Sequence, residues 1–188
     1  KKIVYGYDTF EGFPPIYNEN DDMSKFEFLL KEGRITQEHF DKMKKNTFLR
    51  ESTLAKGISE KNISLSGDFS SANIDDIKRK IEILELDNVR LMKGPFERTM
   101  TSSKGPEKVF AAILDCDLYM SYMVCLPYFW DRMPVGGYVY LDEYYSLKFA
   151  GARIASDEFF RDKQDKPQMH NKTVGDFERW FVRKLHAS

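Results

Sequence analysis

Short apolar runs alternate along this chain with longer stretches of helical spacing, and several of the apolar runs stop abruptly at acidic residues. Val109–Leu114 is one such run, and it stops at Asp115–Asp117. A stretch with helical periodicity and a Pro/Gly break follow before the next apolar run, Tyr138–Leu141, which stops at Asp142–Glu143. This order of strand, helix and strand predicts a βαβ unit with parallel strands.

The remaining segments extend the same pattern. Two early apolar runs predict strands, two segments with helical spacing predict helices, and two late segments have the pattern of strands. In that order they are Ile3–Asp8, Val89–Met92, Asn73–Leu84, Gly151–Phe160, Gln168–His170 and Trp180–Arg183. We therefore predict an α/β fold in which a mostly parallel sheet ends in an antiparallel C-terminal strand.

A highly charged segment, residues 18–66, separates the first two predicted strands. Its spacing predicts two helices, over Ser24–Gly33 and Thr36–Lys56, with Ser24 and Thr36 as N-caps and Gly33 and Gly57 as stops. Because so long an excursion is unusual between adjacent strands, we interpret it as a helical lid over the site. The lid belongs to a single predicted domain that spans residues 1–188.

The acidic residues that end the two central strands are the candidates for chemistry. The carboxyl ends of parallel strands meet at one edge of a sheet, where ligands bind, so Asp115, Asp117, Asp142 and Glu143 should lie close together. Four neighbouring carboxylates repel one another unless a cation or a proton compensates their charge. Mg²⁺ or Mn²⁺ is favoured over zinc because no His or thiolate cluster accompanies the acids. In the alternative interpretation these acids only cap helices and remain solvated.

Composition narrows the classes of protein. The 188 residues are 41% hydrophobic and 31% charged with a net charge of −1, so no basic field suggests a nucleic-acid partner. The longest apolar runs are too short to span a membrane, and no signal peptide opens the chain. Cys116 and Cys125 form no CxxC motif and are interpreted as reduced thiols, which together predicts a cytoplasmic protein without a membrane partner.

Five motifs, in order along nearly the whole chain, resemble those of the macrocin O-methyltransferase family. They lie in Tyr5–Pro14, Gly94–Met100, Leu114–Tyr119, Gly136–Tyr144 and Gly151–Phe159. The resemblance implies a Rossmann-like class I methyltransferase fold. It also implies an S-adenosylmethionine- and divalent-metal-dependent O-methyltransferase that acts on a hydroxyl of a sugar, a sugar-containing natural product or a polysaccharide. Its partner would be a small-molecule or glycan acceptor, and the protein would be a homo-oligomer.

The same resemblance implies a role for each acid. Asp115, Asp142 and Glu143 would bind Mg²⁺ or Mn²⁺, and Asp117 would be the general base that takes the proton of the acceptor hydroxyl. Asp8 would bind the ribose of S-adenosylmethionine, and Asp115 would also belong to the cofactor site. These roles are chemically consistent, because an alcohol is a poor nucleophile until a metal and a nearby carboxylate assist its deprotonation.

Two departures from the family pattern qualify these expectations. Glu143-Tyr144-Tyr145 stands where the family usually has Asp-Tyr-Gly, so the metal is expected to sit differently and Tyr145 to narrow the acceptor pocket. The glycine-rich donor loop and the first strand of the fold are expected upstream of Lys1.

Two other functions therefore stay open: a non-catalytic binding module that lacks a complete donor site, and a metal-dependent glycosyl or phosphoryl transferase with a DxD motif. The second of these leaves the acids at 142–143 unexplained.

Overall fold

The structure is a computed structural model, and it describes residues 1–14, 18–53, 69–71, 73–101, 105–172 and 177–187. The strands are β1 (Val4–Asp8), β2 (Val89–Lys93), β3 (Ala111–Leu114), β4 (Tyr138–Leu141), β5 (Gln168–Lys172) and β6 (Glu178–Arg183). The helices are α1 (Lys25–Lys31), α2 (Gln37–Thr53), α3 (Ile74–Ile83), α4 (Phe96–Thr99), α5 (Tyr119–Arg132) and α6 (Ala150–Phe160). Single 3₁₀ turns lie at Glu19–Asp21 and Asp142–Tyr144. The predicted α/β class is confirmed.

The chain divides into two compact units, and each is described by itself. The first contains Lys1–Tyr17 and Ser64–Gly105. In it β1 and β2 pair in parallel, with Val4 opposite Val89 and Asp8 opposite Lys93. The Asn73 side chain accepts the N–H of Asp75 at 2.9 Å and so caps α3. The segment predicted as a loop after β2 contains the one-turn helix α4, which is too short for periodicity to reveal.

The second unit contains Asn18–Ile63 and Pro106–Ser188 and has a four-stranded sheet in the order β3-β4-β6-β5. The pair β3 and β4 is parallel, as the βαβ pattern predicts, and Leu114 lies opposite Leu141. Strand β6 runs antiparallel to both β4 and β5. The antiparallel ending predicted for the C-terminal region is confirmed.

The described part of the predicted lid belongs to the unit that carries the acids and packs against α6. Its apolar side chains share a core with α6, and the buried members are Met23, Phe26, Leu29, Ile35, Met43, Ala150 and Ile154. Thr36 accepts the N–H of His39 at 3.1 Å, as expected of an N-cap, whereas the Ser24 side chain makes no capping bond. Gly33 ends α1 with a φ of 67°. The predicted stop at Gly57 lies outside the described residues.

Among the residues that the structure describes, no helix is both long and apolar enough to cross a membrane.

Candidate active site

The loop Asp115–Asp117 joins β3 to α5 through a tight turn. The N–H of Leu118 donates to the carbonyl of Cys116 at 2.6 Å, and Leu118 is the N-cap of α5. Asp117 has a φ of 60°, in the left-handed region that Asp tolerates better than most residues with a side chain. The strained backbone therefore occurs at the residue that the family resemblance assigns as the general base.

Three acids meet at the end of the parallel pair. One carboxylate oxygen from each of Asp115, Asp117 and Glu143 lies within 4.8 Å of the other two. Glu143 belongs to the 3₁₀ turn that follows β4, so the register of β3 and β4 brings the two acidic segments to the same edge. Asp115 is exposed, and the other two are partly buried. Three carboxylate oxygens that converge in this way could hold a divalent cation, and oxygen ligands suit Mg²⁺ or Mn²⁺.

The electrostatics of the cluster favour a compensating positive charge. Burial, with the neighbouring Glu143 and Asp115, raises the pKa of Asp117 to about 7. Burial also raises the pKa of Glu143 to about 6, with nearby Asp142 and Asp115 adding to the shift. The pKa of Asp115, whose side chain is largely exposed, is raised as well, by partial desolvation of the carboxylate and then by Asp142. A bound cation would reverse these shifts, because it stabilises the charged form of every carboxylate around it.

Asp142, the third predicted metal ligand, lies beside both Asp115 and Arg179. It lies within hydrogen-bonding reach of Asp115, and its Oδ1 is 3.7 Å from Nη1 of Arg179 on β6. The structure thus brings Asp142 to the edge of the cluster and also gives it a cationic partner. Its role as a ligand stays a prediction.

Asp8, the predicted ribose ligand, lies in the other unit at the carboxyl end of β1. Its carboxylate accepts the N–H of Phe10, which has a φ of 56°, and its carbonyl accepts the N–H of Gly94 at 3.0 Å. The side chain therefore caps a turn, while its exposed position leaves the second oxygen open to a ligand. Ribose binding by Asp8 stays a prediction.

Several polar residues that sequence reasoning missed support the acidic segments. Ser146 hydrogen-bonds to the Glu143 side chain and accepts the N–H of Phe149 at 2.8 Å. Nε2 of His39, on α2, lies 2.6 Å from the Ser146 carbonyl, and burial lowers the pKa of this His. The neutral ring therefore donates from Nε2 to the loop that follows the acids. No sequence signal identifies His39, because it lies in a charged helix 107 residues before Ser146.

Asp21 supports the other acidic segment. Its Oδ1 accepts the N–H of Tyr119 at 2.8 Å, at the first turn of α5, and the side chain is buried. A Cβ added to Gly151 would lie 2.0 Å from the same oxygen, so the close approach of α6 requires glycine there. This contact links the segment predicted as a lid to the helix that begins at the acidic loop.

Tyr145 has a different position from the one expected. Its side chain is buried, with the ring centroid 4.2 Å from that of His39 and 5.0 Å from that of Phe177. The ring therefore packs between two other rings rather than standing open at the edge of the sheet.

Comparison with known proteins identifies relatives of the chain. A family model described as Macrocin-O-methyltransferase (TylF) matches residues 51–173, which is well over half of the 188 residues. Among curated proteins, none matches the sequence significantly.

Solved structures share the fold. The O-methyltransferase NovP superposes with a TM-score of 0.61 at 20% identity, over 98% of this chain and 60% of NovP. The calicheamicin methyltransferase CalS11 gives 0.57 at 15% identity, over 96% of this chain and 60% of CalS11. A putative O-methyltransferase from Klebsiella pneumoniae gives 0.50 at 10% identity, over 86% of this chain and 96% of that protein. The chain thus spans about 60% of the length of the first two. These likenesses confirm the Rossmann-like methyltransferase fold.

Proposed function

The chain belongs to the macrocin-O-methyltransferase family, and on that premise we propose that it is an S-adenosylmethionine-dependent O-methyltransferase that requires a divalent metal. The acceptor would be a hydroxyl of a sugar or of a sugar-containing natural product. The observation that carries the proposal is the convergence of Asp115, Asp117 and Glu143 within 4.8 Å of one another, in a chain of this family.

The metal would be held by Asp115, Glu143 and Asp142. The first two are supported by their convergence, and Asp142 by its contact with Asp115. When bound, the ion would polarise the acceptor hydroxyl and stabilise the developing alkoxide. Asp115 and Glu143 would also fix the orientation of the acceptor at the end of β3 and β4.

Asp117 would accept the proton of the acceptor hydroxyl. Its position beside Asp115 and Glu143 supports this role, because a base must lie within hydrogen-bonding reach of the proton it removes. Partial burial also supports it, since a carboxylate shielded from water is a stronger base than an exposed one. The methyl donor would be oriented by Asp8 through its ribose hydroxyls. The assignment of Asp115 to the cofactor site stays a prediction from the family resemblance.

Calorimetric titration of S-adenosylmethionine into the full-length protein, with Mg²⁺ and again after EDTA, tests the proposal. We expect saturable binding at one site, weakened by Asp8→Ala and unchanged by Asp76→Ala. Asp76 is a matched control because it is an exposed acid of the same unit, in α3. Absence of donor binding to the unaltered protein would overturn the enzyme proposal.

A parallel titration with Mn²⁺ separates the enzyme from a binding module. Binding of both Mn²⁺ and S-adenosylmethionine supports the methyltransferase. Binding of Mn²⁺ alone would instead favour a metal-bearing module without donor chemistry.

A further inference from the structure

A single buried hydroxyl joins the two segments that carry the acidic cluster. The Tyr122 hydroxyl donates to the carbonyl of Leu114 at 2.9 Å and accepts the N–H of Glu143 at 3.2 Å. Leu114 is the last residue of β3, directly before Asp115, and Glu143 is itself one of the converging acids. Tyr122 has 0% of its surface exposed.

The two hydrogen bonds lie at the point where the paired residues of the two strands end. The parallel pairing of β3 and β4 ends at Leu114 opposite Leu141, so the ladder no longer fixes the chain beyond these residues. A buried N–H or carbonyl without a partner is costly, so the carbonyl of Leu114 and the N–H of Glu143 need hydrogen-bond partners. The Tyr122 hydroxyl is both donor and acceptor and can satisfy both at once.

The helix fixes the position of this hydroxyl. Tyr122 lies in the first turn of α5, and its N–H donates to the carbonyl of Leu118 at 3.1 Å. Leu118 directly follows Asp117, so the same turn that places Asp117 also places Tyr122. The hydroxyl thus holds the carbonyl directly before Asp115 and the N–H of Glu143, and the turn at the start of α5 holds Asp117.

We propose that Tyr122 is a positioning residue for the divalent-metal site: its hydroxyl fixes the spacing between Asp115 and Glu143. The inference rests on the proposed function, since it needs the metal that the methyltransferase would bind. Groups that orient metal ligands without touching the ion typically change metal affinity by roughly 10- to 100-fold when removed. Tyr122 would act on the ligands in the same way, through their backbone.

The test compares Mn²⁺ affinity in Tyr122→Phe with that in Ser156→Ala. Phe keeps the ring and removes only the bridging hydroxyl. Ser156 is an apt control because its hydroxyl is also fully buried, yet it donates only to the carbonyl of Ala152 within α6. We expect Tyr122→Phe to weaken Mn²⁺ binding by about tenfold or more and Ser156→Ala to leave it within about twofold. The Mn²⁺ electron paramagnetic resonance spectrum should also broaden or shift in Tyr122→Phe alone.

Each outcome has a distinct meaning. Equal Mn²⁺ affinity in Tyr122→Phe and the unaltered protein would overturn the role of Tyr122 and leave the proposed function standing. Absence of Mn²⁺ binding to the unaltered protein would overturn both. Hydrogen exchange of the Glu143 amide in the unaltered protein gives a second test that needs no variant. Protection is expected, and exchange at the rate of an open amide would overturn the inference.

Discussion

Asp165 and Asp117 are both shielded aspartates of the same compact unit, yet their pKa values shift in opposite directions. Burial alone would raise the pKa of Asp165, but hydrogen bonds from the ring and N–H of His186 and from the N–H of Leu185 lower it overall. The ring nitrogen Nδ1 of His186 lies 2.8 Å from its Oδ1. For Asp117, burial and the neighbouring Glu143 and Asp115 outweigh the opposing effect of Lys148, and its pKa rises to about 7.

The difference separates a structural carboxylate from a functional one. Asp157 belongs with Asp165, because it accepts hydrogen bonds from Nε of Arg34 at 2.7 Å and from the hydroxyl of Tyr144 at 2.6 Å. These two acids are stabilised by donors of the protein itself. The cluster of Asp115, Asp117 and Glu143 is a group of acids without enough such donors, so its free energy falls when a cation or a proton arrives.

The largest effect is expected from the acids of the cluster. Asp117→Asn should retain Mn²⁺ and donor binding, since Asp117 is not one of the proposed ligands, but should lower methyl transfer by about 10²- to 10⁴-fold, the usual contribution of a general base. Asp115→Ala should abolish Mn²⁺ binding. Steady-state methyl transfer and Mn²⁺ titration of both variants provide the check. Retained turnover in Asp117→Asn would remove the general-base assignment.

The pH dependence of stability is the next largest effect. Groups with raised pKa values bind more protons in the folded chain than in the unfolded one. Without metal, Asp117 and Glu143 should therefore make the free energy of unfolding fall as pH rises from about 4 to about 7. The fall should be on the order of a few kcal/mol. Below about pH 3 both groups are protonated in the folded and in the unfolded chain, so the free energy of unfolding no longer changes with pH through them.

Thermal unfolding in EDTA measures this slope, and Asp117→Asn should flatten it. The lowered pKa of His39 gives an opposite slope below about pH 6.5, but it is present in both proteins and cancels in their difference. Saturating Mg²⁺ should also flatten the profile, because the cation lowers the folded-state pKa values. Identical profiles for the two proteins in EDTA would contradict the electrostatic account of the cluster.

Asp165, the structural carboxylate of the comparison, gives a smaller effect, which is on stability rather than on metal binding. Asp165→Asn should lower the free energy of unfolding by about 1–3 kcal/mol, because a buried acceptor of three N–H groups is impaired. It should leave Mn²⁺ affinity unchanged. Denaturant unfolding and Mn²⁺ titration of one sample measure both quantities. A loss of Mn²⁺ affinity in this variant would show that the two classes of acid are not independent.

The sequence predicted the acidic edge because its determinants are local. A strand that stops at an acid places that acid at the carboxyl end, and the parallel pairing of β3 with β4 follows from the βαβ pattern. The Thr36 cap was predictable for the same reason, since capping involves residues three apart.

The support of the acids was not predictable, because it depends on contacts between distant residues. In a helical pattern Tyr122 is an ordinary core aromatic, and only the folded chain shows its hydroxyl between Leu114 and Glu143. Asp21 reaches the start of α5 from a segment whose pattern indicated a lid. Phe26 and Leu29 of that segment are buried in a shared core with α6, which depends on packing rather than on local spacing.

The smallest expected effect concerns Asp142, which shares features with the acidic cluster and with the acids that are paired with donors of the protein. Its contact with Asp115 places it with the cluster, and Arg179 at 3.7 Å gives it a partner like that of Asp157. If Asp142 is a metal ligand, Arg179 competes with the ion for it. Arg179→Gln should then raise Mn²⁺ affinity by up to about fivefold, the equivalent of the 0–1 kcal/mol typical of a partly exposed ion pair.

Lys172→Gln is the matched control for this last prediction, because it also removes one positive charge from the sheet edge. Lys172 pairs with Glu178, Nζ to Oε1 at 3.8 Å, rather than with the cluster. A general change in electrostatic potential would raise Mn²⁺ affinity equally in both variants, whereas release of a ligand raises it in Arg179→Gln alone. Equal affinities in the two variants would assign Asp142 to the paired, structural class and leave Asp115 and Glu143 as the proposed ligands.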